Sequence, residues 1–87
     1  TIALSADGSI LAVGAPFHNE FGSEAGRVGL YRLVGNSANM LFEFSGDQVG
    51  LRVGHSLSMS RNSPPILAIG GTDFVNVYPI SQFLNGG

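Results

Sequence analysis

The chain has 87 residues, 44% of them hydrophobic and 11% charged, with a formal net charge of −2. A soluble domain usually carries about 25% charge, so much of this surface is expected to be covered by further protein. Four scattered arginines exclude a nucleic-acid footprint. The lack of cysteine excludes disulfides and thiolate metal sites, and no apolar run approaches the ~20 residues of a membrane helix.

The first elements are short strands at 2–5 and 9–14, joined by Ala6-Asp7-Gly8. Asp-Gly tolerates the positive φ that a tight hairpin demands. A longer loop, 15–26, leads to a third strand at 27–34 and a fourth at 40–45. In that fourth strand Phe42 and Phe44 alternate with Glu43, which fits an outer strand with the carboxylate turned to water. A second connection, 46–53, precedes strands at 55–60, 66–70 and 74–79, and residues 81–87 read as a tail or linker. Pro64-Pro65 lies in a turn and Pro79 ends a strand, where neither ring removes a needed ladder hydrogen bond. No glycine-free window of eleven residues carries a helical stripe. The prediction is all-β, four strands followed by three, in antiparallel hairpins.

Self-similarity organises these strands. Ile2-Ala-Leu-Ser5 and Ile10-Leu-Ala-Val-Gly14 recur as Leu57-Ser-Met-Ser60 and Ile66-Leu-Ala-Ile-Gly70, so that Leu4 maps to Met59 and Gly14 to Gly70. Val28-Gly-Leu-Tyr31 recurs as Val75-Asn-Val-Tyr78, the second copy having a shorter loop before that strand. Residues 1–46 form the first copy and 47–80 the second. Ile10-Leu-Ala-Val13 and Ile66-Leu-Ala-Ile69 are apolar on both alternating faces, which predicts strands covered on both sides. Four-stranded blades stacked around an axis satisfy that, with a two-sheet sandwich as the alternative.

These residues resemble an FG-GAP repeat of the integrin α type. Ala3-Leu-Ser-Ala-Asp-Gly-Ser9 and Leu11-Ala-Val-Gly-Ala-Pro16 carry the likeness, with Gly14, Ala15 and Pro16 as the GAP element. Gly26-Arg-Val-Gly-Leu-Tyr31 is similar to the family's third strand. In the second copy Val53-Gly54 stands where Phe-Gly is expected, and Gly70-Gly71-Thr72 where Gly-Ala-Pro is expected. The resemblance spans residues 1 to about 80. It implies a seven-bladed propeller at the cell surface or outside the cell, binding proteins or matrix, with this chain supplying one blade and three strands of the next. A start at Thr1 rather than Met, without a basic-then-apolar leader, agrees with a segment of a longer protein. Gly14, Gly54 and Gly70 read as structural positions where backbones approach closely.

Calcium-binding members of that family need several oxygens in the loop between the first two strands. Here the first loop offers only Asp7 and the second, 61–65, offers no acid, so neither is expected to hold a metal, and no cofactor is expected. His18 and His55 have no partners at ligand spacing, and Ser56, Ser58 and Ser60 alternate along one strand without a base. No nucleophile–base pair emerges, so no enzymatic role is predicted. In a meander the 15–26 and 46–53 loops open at the same end of the sheets. They offer Phe17, His18, Asn19, Glu20, Phe21, Glu24, Asp47, Gln48 and Arg52 as a ligand-facing set. The predicted partners are other blades of the same chain and a protein or matrix ligand, with no nucleic acid and no direct membrane contact. Alternatives are an accessory propeller on a secreted enzyme and a structural spacer of a surface protein. Isolated, the fragment is expected to self-associate or to be partly disordered, because its edges and outer faces lack neighbours.

Overall fold

The computed structural model describes residues 1–17, 24–62 and 64–84. Four strands, β1 (Ile2–Leu4), β2 (Ile10–Ala15), β3 (Arg27–Val34) and β4 (Ser37–Ser45), form one antiparallel sheet in that order. Three more, β5 (Ser56–Met59), β6 (Ile66–Gly71) and β7 (Phe74–Pro79), form a second. The chain is therefore all-β with an antiparallel four-plus-three arrangement. The stretch read as a tail opens with one helical turn, α1 (Ser81–Leu84), whose Phe83 and Leu84 pack against the core.

Register assigns every side chain to a face, because alternate residues of a strand point opposite ways. Ala12 pairs with Leu30 and Leu30 with Phe42, while Gly14 pairs with Val28 and Val28 with Phe44. These residues, with Ile10, form the inward face of the first sheet. On the second sheet Leu57 pairs with Ile69, Met59 with Leu67 and Leu67 with Tyr78, which makes the facing surface. The two surfaces meet in one core of Ile10, Ala12, Val28, Leu30, Leu67 and Ile69, closed at its ends by Val53 and Ile80. Full burial of a Leu or Ile contributes about 1.5–3 kcal/mol, so this shared layer holds the sheets together.

The expectation that β2 and β6 are covered on both sides is met on one side only. Ile2, Leu4 and Val13 on the outward face of the first sheet are exposed, as are Ile66, Val75 and Val77 on that of the second. Two sheets can bury only one face each, so a pattern apolar on both faces leaves two apolar surfaces uncovered.

Strand β4 begins at Ser37, three residues before the predicted start. Val34 pairs with Ser37 across the Gly35-Asn36 turn, with Gly35 at φ +57°, so the long β3 recruits Ser37, Ala38 and Asn39 despite their weak strand propensity. Leu41 is an extra residue between the Leu30–Phe42 and Tyr31–Met40 pairs, a β-bulge that bends the strand. Glu43 points outward as predicted and lies 3.6 Å from Arg27.

The β1–β2 and β5–β6 hairpins close in the same way. Ser5 N donates to Ile10 O at 2.9 Å and Ser60 N to Ile66 O at 2.9 Å. In return Ile10 N donates to Ser5 Oγ at 3.0 Å, and Ile66 N to Ser60 Oγ at 2.8 Å. Both turns thus use a serine hydroxyl to satisfy the first amide of the second strand.

Candidate functional site

The two long connections do come together at one end of the sheets. Residues Leu51 to Gly54 run between the sheets and bond to both. Arg52 N donates to Glu24 O at 2.8 Å and Val53 N to Ala25 O at 2.9 Å on the first side. On the second, Thr72 N donates to Leu51 O at 2.9 Å and Gly54 N to Gly70 O at 3.1 Å. Gly26, at φ +89°, bridges Val53 in parallel, and a Cβ there would overlap the Val53 backbone. The connection is a main-chain staple as much as a surface loop.

Side chains reinforce it from outside. Nε and Nη2 of Arg52 both reach Oε1 of Glu24, at 2.7 and 2.6 Å. The guanidinium also lies 5.4 Å from the ring centroid of Phe17, within cation–π range. Glu24 and Arg52 both take left-handed backbone, at φ +54° and +51°, which costs a non-glycine residue about 1–2 kcal/mol. The staple's four main-chain bonds hold them there. Of the predicted ligand-facing set, Phe17, Glu24 and Arg52 therefore form one cluster, and Asp47 and Gln48 are exposed beside it. His18, Asn19, Glu20 and Phe21 lie outside the described residues.

A cleft of about 640 Å³ opens next to the staple, lined by residues of β4 and β7. Its floor is aromatic: Phe44 and Tyr78 stack with centroids 4.8 Å apart, and Phe74 lines the same space. Asp47 and Asp73 border it, and Glu43 borders it with its carboxylate turned outward to Arg27. Gly46, Asp47, Leu51 and Val53 belong to the 46–53 connection expected at this end; the aromatic part carries no mark of a cleft in the sequence. The sequence signal for it is the aromatic content of β4 and β7, which alternation assigns to a face without saying that a cleft opens beside it. An aromatic floor with acidic groups suits binding of a cationic or amphipathic segment.

The structural motif residues also have definite places. Gly14 and Gly54 are in backbone contact across the sheets, Val53 is in the core, and Gly70 pairs with Ser56. Ala15 ends β2 and Pro16 begins the turn after it.

Asp7 is engaged in closing its hairpin. Its Oδ1 accepts from Ser9 N at 3.0 Å, Ser9 Oγ at 2.7 Å and Ser5 Oγ at 2.8 Å. The Ser9 amide, then the Ser9 and Ser5 hydroxyls, hold its carboxyl down from 3.8 to about 2. Among the described residues no three His, Asp or Glu side chains gather as metal ligands would. His55 is exposed just before β5, and its amide donates to Arg52 O at 3.0 Å. No family model matches this chain, and no curated protein or solved structure is significantly similar to it.

Proposed function

We propose that the chain is a segment of a non-catalytic β-propeller of the FG-GAP type, serving as a scaffold for recognition of a protein or matrix ligand. One relationship between the sheets carries this reading. The inward residues of the first sheet, Ile10, Ala12, Val28 and Leu30, correspond in the sequence repeat to Ile66, Ala68, Val75 and Val77. Those lie on the outward face of the second sheet. Conversely Leu11, Val13 and Tyr31, outward on the first sheet, correspond to Leu67, Ile69 and Tyr78, inward on the second. Under the repeat reading this is a front-to-back relation, as expected of successive blades, and it supports the propeller over a sandwich of mirrored halves. The matching hydrogen bonds at Ser5 and Ser60 support the same reading.

In such a stack the loops of every blade emerge at common ends. The Phe17–Glu24–Arg52 cluster and the neighbouring cleft are then the part of the ligand surface that this segment contributes. An extracellular or cell-surface location follows from the family resemblance alone. The test is the coding sequence on either side of residues 1 and 87. Further copies at a spacing of ~55 residues, about five for a seven-bladed ring, are expected. Their absence on both sides would overturn the propeller reading.

A further inference from the structure

The outward faces expose Ile2 (70%) and Val13 (37%) on the first sheet, and Val75 (67%) and Val77 (60%) on the second. Under the repeat reading each of these faces has a buried counterpart. Val75 and Val77 correspond to Val28 and Leu30, both fully buried, and Ile66 to Ile10. Leu11 and Val13 correspond to Leu67 and Ile69, also buried. The two uncovered faces are therefore counterparts of the two opposite halves of one interface that already exists inside the molecule. Shape and apolar character that fit within the chain should fit again between chains.

We infer that, where no flanking repeat covers them, these faces of the 87-residue chain are occupied by a second copy, stacked head to tail, each copy standing in for the neighbouring blade of the other. Ile66, Val75 and Val77 of one copy lie on Leu11, Val13 and Ile2 of the next. This rests on reading the two sheets as copies of one repeat. Charge does not oppose the contact. The outward positions of the second sheet, Ser56, Ser58, Ile66, Ala68, Val75 and Val77, carry none. On the first sheet Arg27 and Glu43 stand 3.6 Å apart and offset each other. Unlike faces meet, so the contact is heterologous and can repeat, giving rings or filaments rather than a closed dimer. Like-on-like pairing would set Val75 and Val77 against themselves, a combination that has no counterpart in the core.

Sedimentation of the whole 87-residue chain and two charge variants tests this. The wild type should associate in a concentration-dependent way beyond a dimer. Val77→Glu blocks one face and Val13→Glu the other, and each alone should be monomeric, with association weakened by about 100-fold or more. Mixed, the two variants should form a 1:1 dimer through their remaining faces. Far-UV circular dichroism checks folding, and Val75→Glu replaces Val77→Glu should the latter unfold. A wild type monomeric up to roughly 100 μM, a single variant that still associates, or a mixture that stays monomeric overturns the inference. These outcomes are independent of the flanking sequence: flanking copies with a monomeric chain would sink the stacking and spare the propeller. Stacking without flanking copies would do the reverse.

Discussion

Gly14 and Gly54 meet backbone to backbone across the two sheets: a Cβ on Gly14 would stand 2.5 Å from Gly54 O, and one on Gly54 would stand 3.0 Å from Gly14 Cα. Thr1 completes the contact, its hydroxyl donating to Gly54 O at 2.6 Å. Gly14 and Gly54 thus set how closely β2 can approach the start of the second sheet. At Gly70 the only close neighbour of an added Cβ would be Ser56 Oγ, a group that can rotate away.

Substitution should separate these cases. Gly14→Ala is expected to cost about 2 kcal/mol, because main chain must move. Gly54→Ala should cost about 2–4 kcal/mol, since its φ of +94° adds left-handed strain to the same conflict. Gly70→Ala should cost less than about 1 kcal/mol. Urea unfolding monitored by circular dichroism ranks the three; equal losses at Gly14 and Gly70 would refute the backbone-contact account.

Asp7 makes hairpin closure depend on pH. Its folded pKa, about 2, lies below the unfolded 3.8, so the ionised carboxylate favours the folded state. That contribution is complete above about pH 4 and fades as pH falls toward 2. Asp7→Asn should therefore flatten the acid limb of the stability–pH curve while changing its slope little near neutrality. An unchanged acid limb would show that the Ser5 and Ser9 contacts do not persist in solution.

How far the sequence leads differs between parts of the molecule. Short runs rich in apolar residues, set between Gly, Asp, Ser and Pro, place the seven strands of the described residues, because they are too short and too interrupted for a helical stripe. Ser37, Ala38 and Asn39 lack any such mark; they are strand only because β3 offers them a ladder. Alternation in Ile10–Val13 and Ile66–Ile69 shows two apolar faces but cannot say which one the chain itself covers. The meander brings the 15–26 and 46–53 connections to one end, yet the staple between them depends on left-handed backbone at Glu24 and Arg52, residues with no local signature for it. The cleft beside Phe44 and Tyr78 depends on how the two sheets and the 46–53 connection pack together, a tertiary property no single strand encodes.

The Arg52–Glu24 pair should stabilise modestly. Both side chains are about two-fifths exposed, so solvent screens the pair, and coupling of roughly 0.5–1 kcal/mol is expected from a double-mutant cycle. Arg52→Ala also removes the contact with Phe17, and should loosen residues 46–54 to proteolysis more than Glu24→Ala does. Coupling near zero at low salt would mean that the main-chain bonds alone hold the staple.

Amide hydrogen exchange on the folded chain tests most directly whether the two sheets share one core. Leu30 of β3 and Leu67 and Ile69 of β6 should exchange through the same global opening, with protection that shifts together when Leu30→Ala weakens the core. Fast exchange of the β6 amides through an opening of their own, indifferent to Leu30→Ala, would contradict the stacked arrangement and with it the proposed blade-on-blade reading.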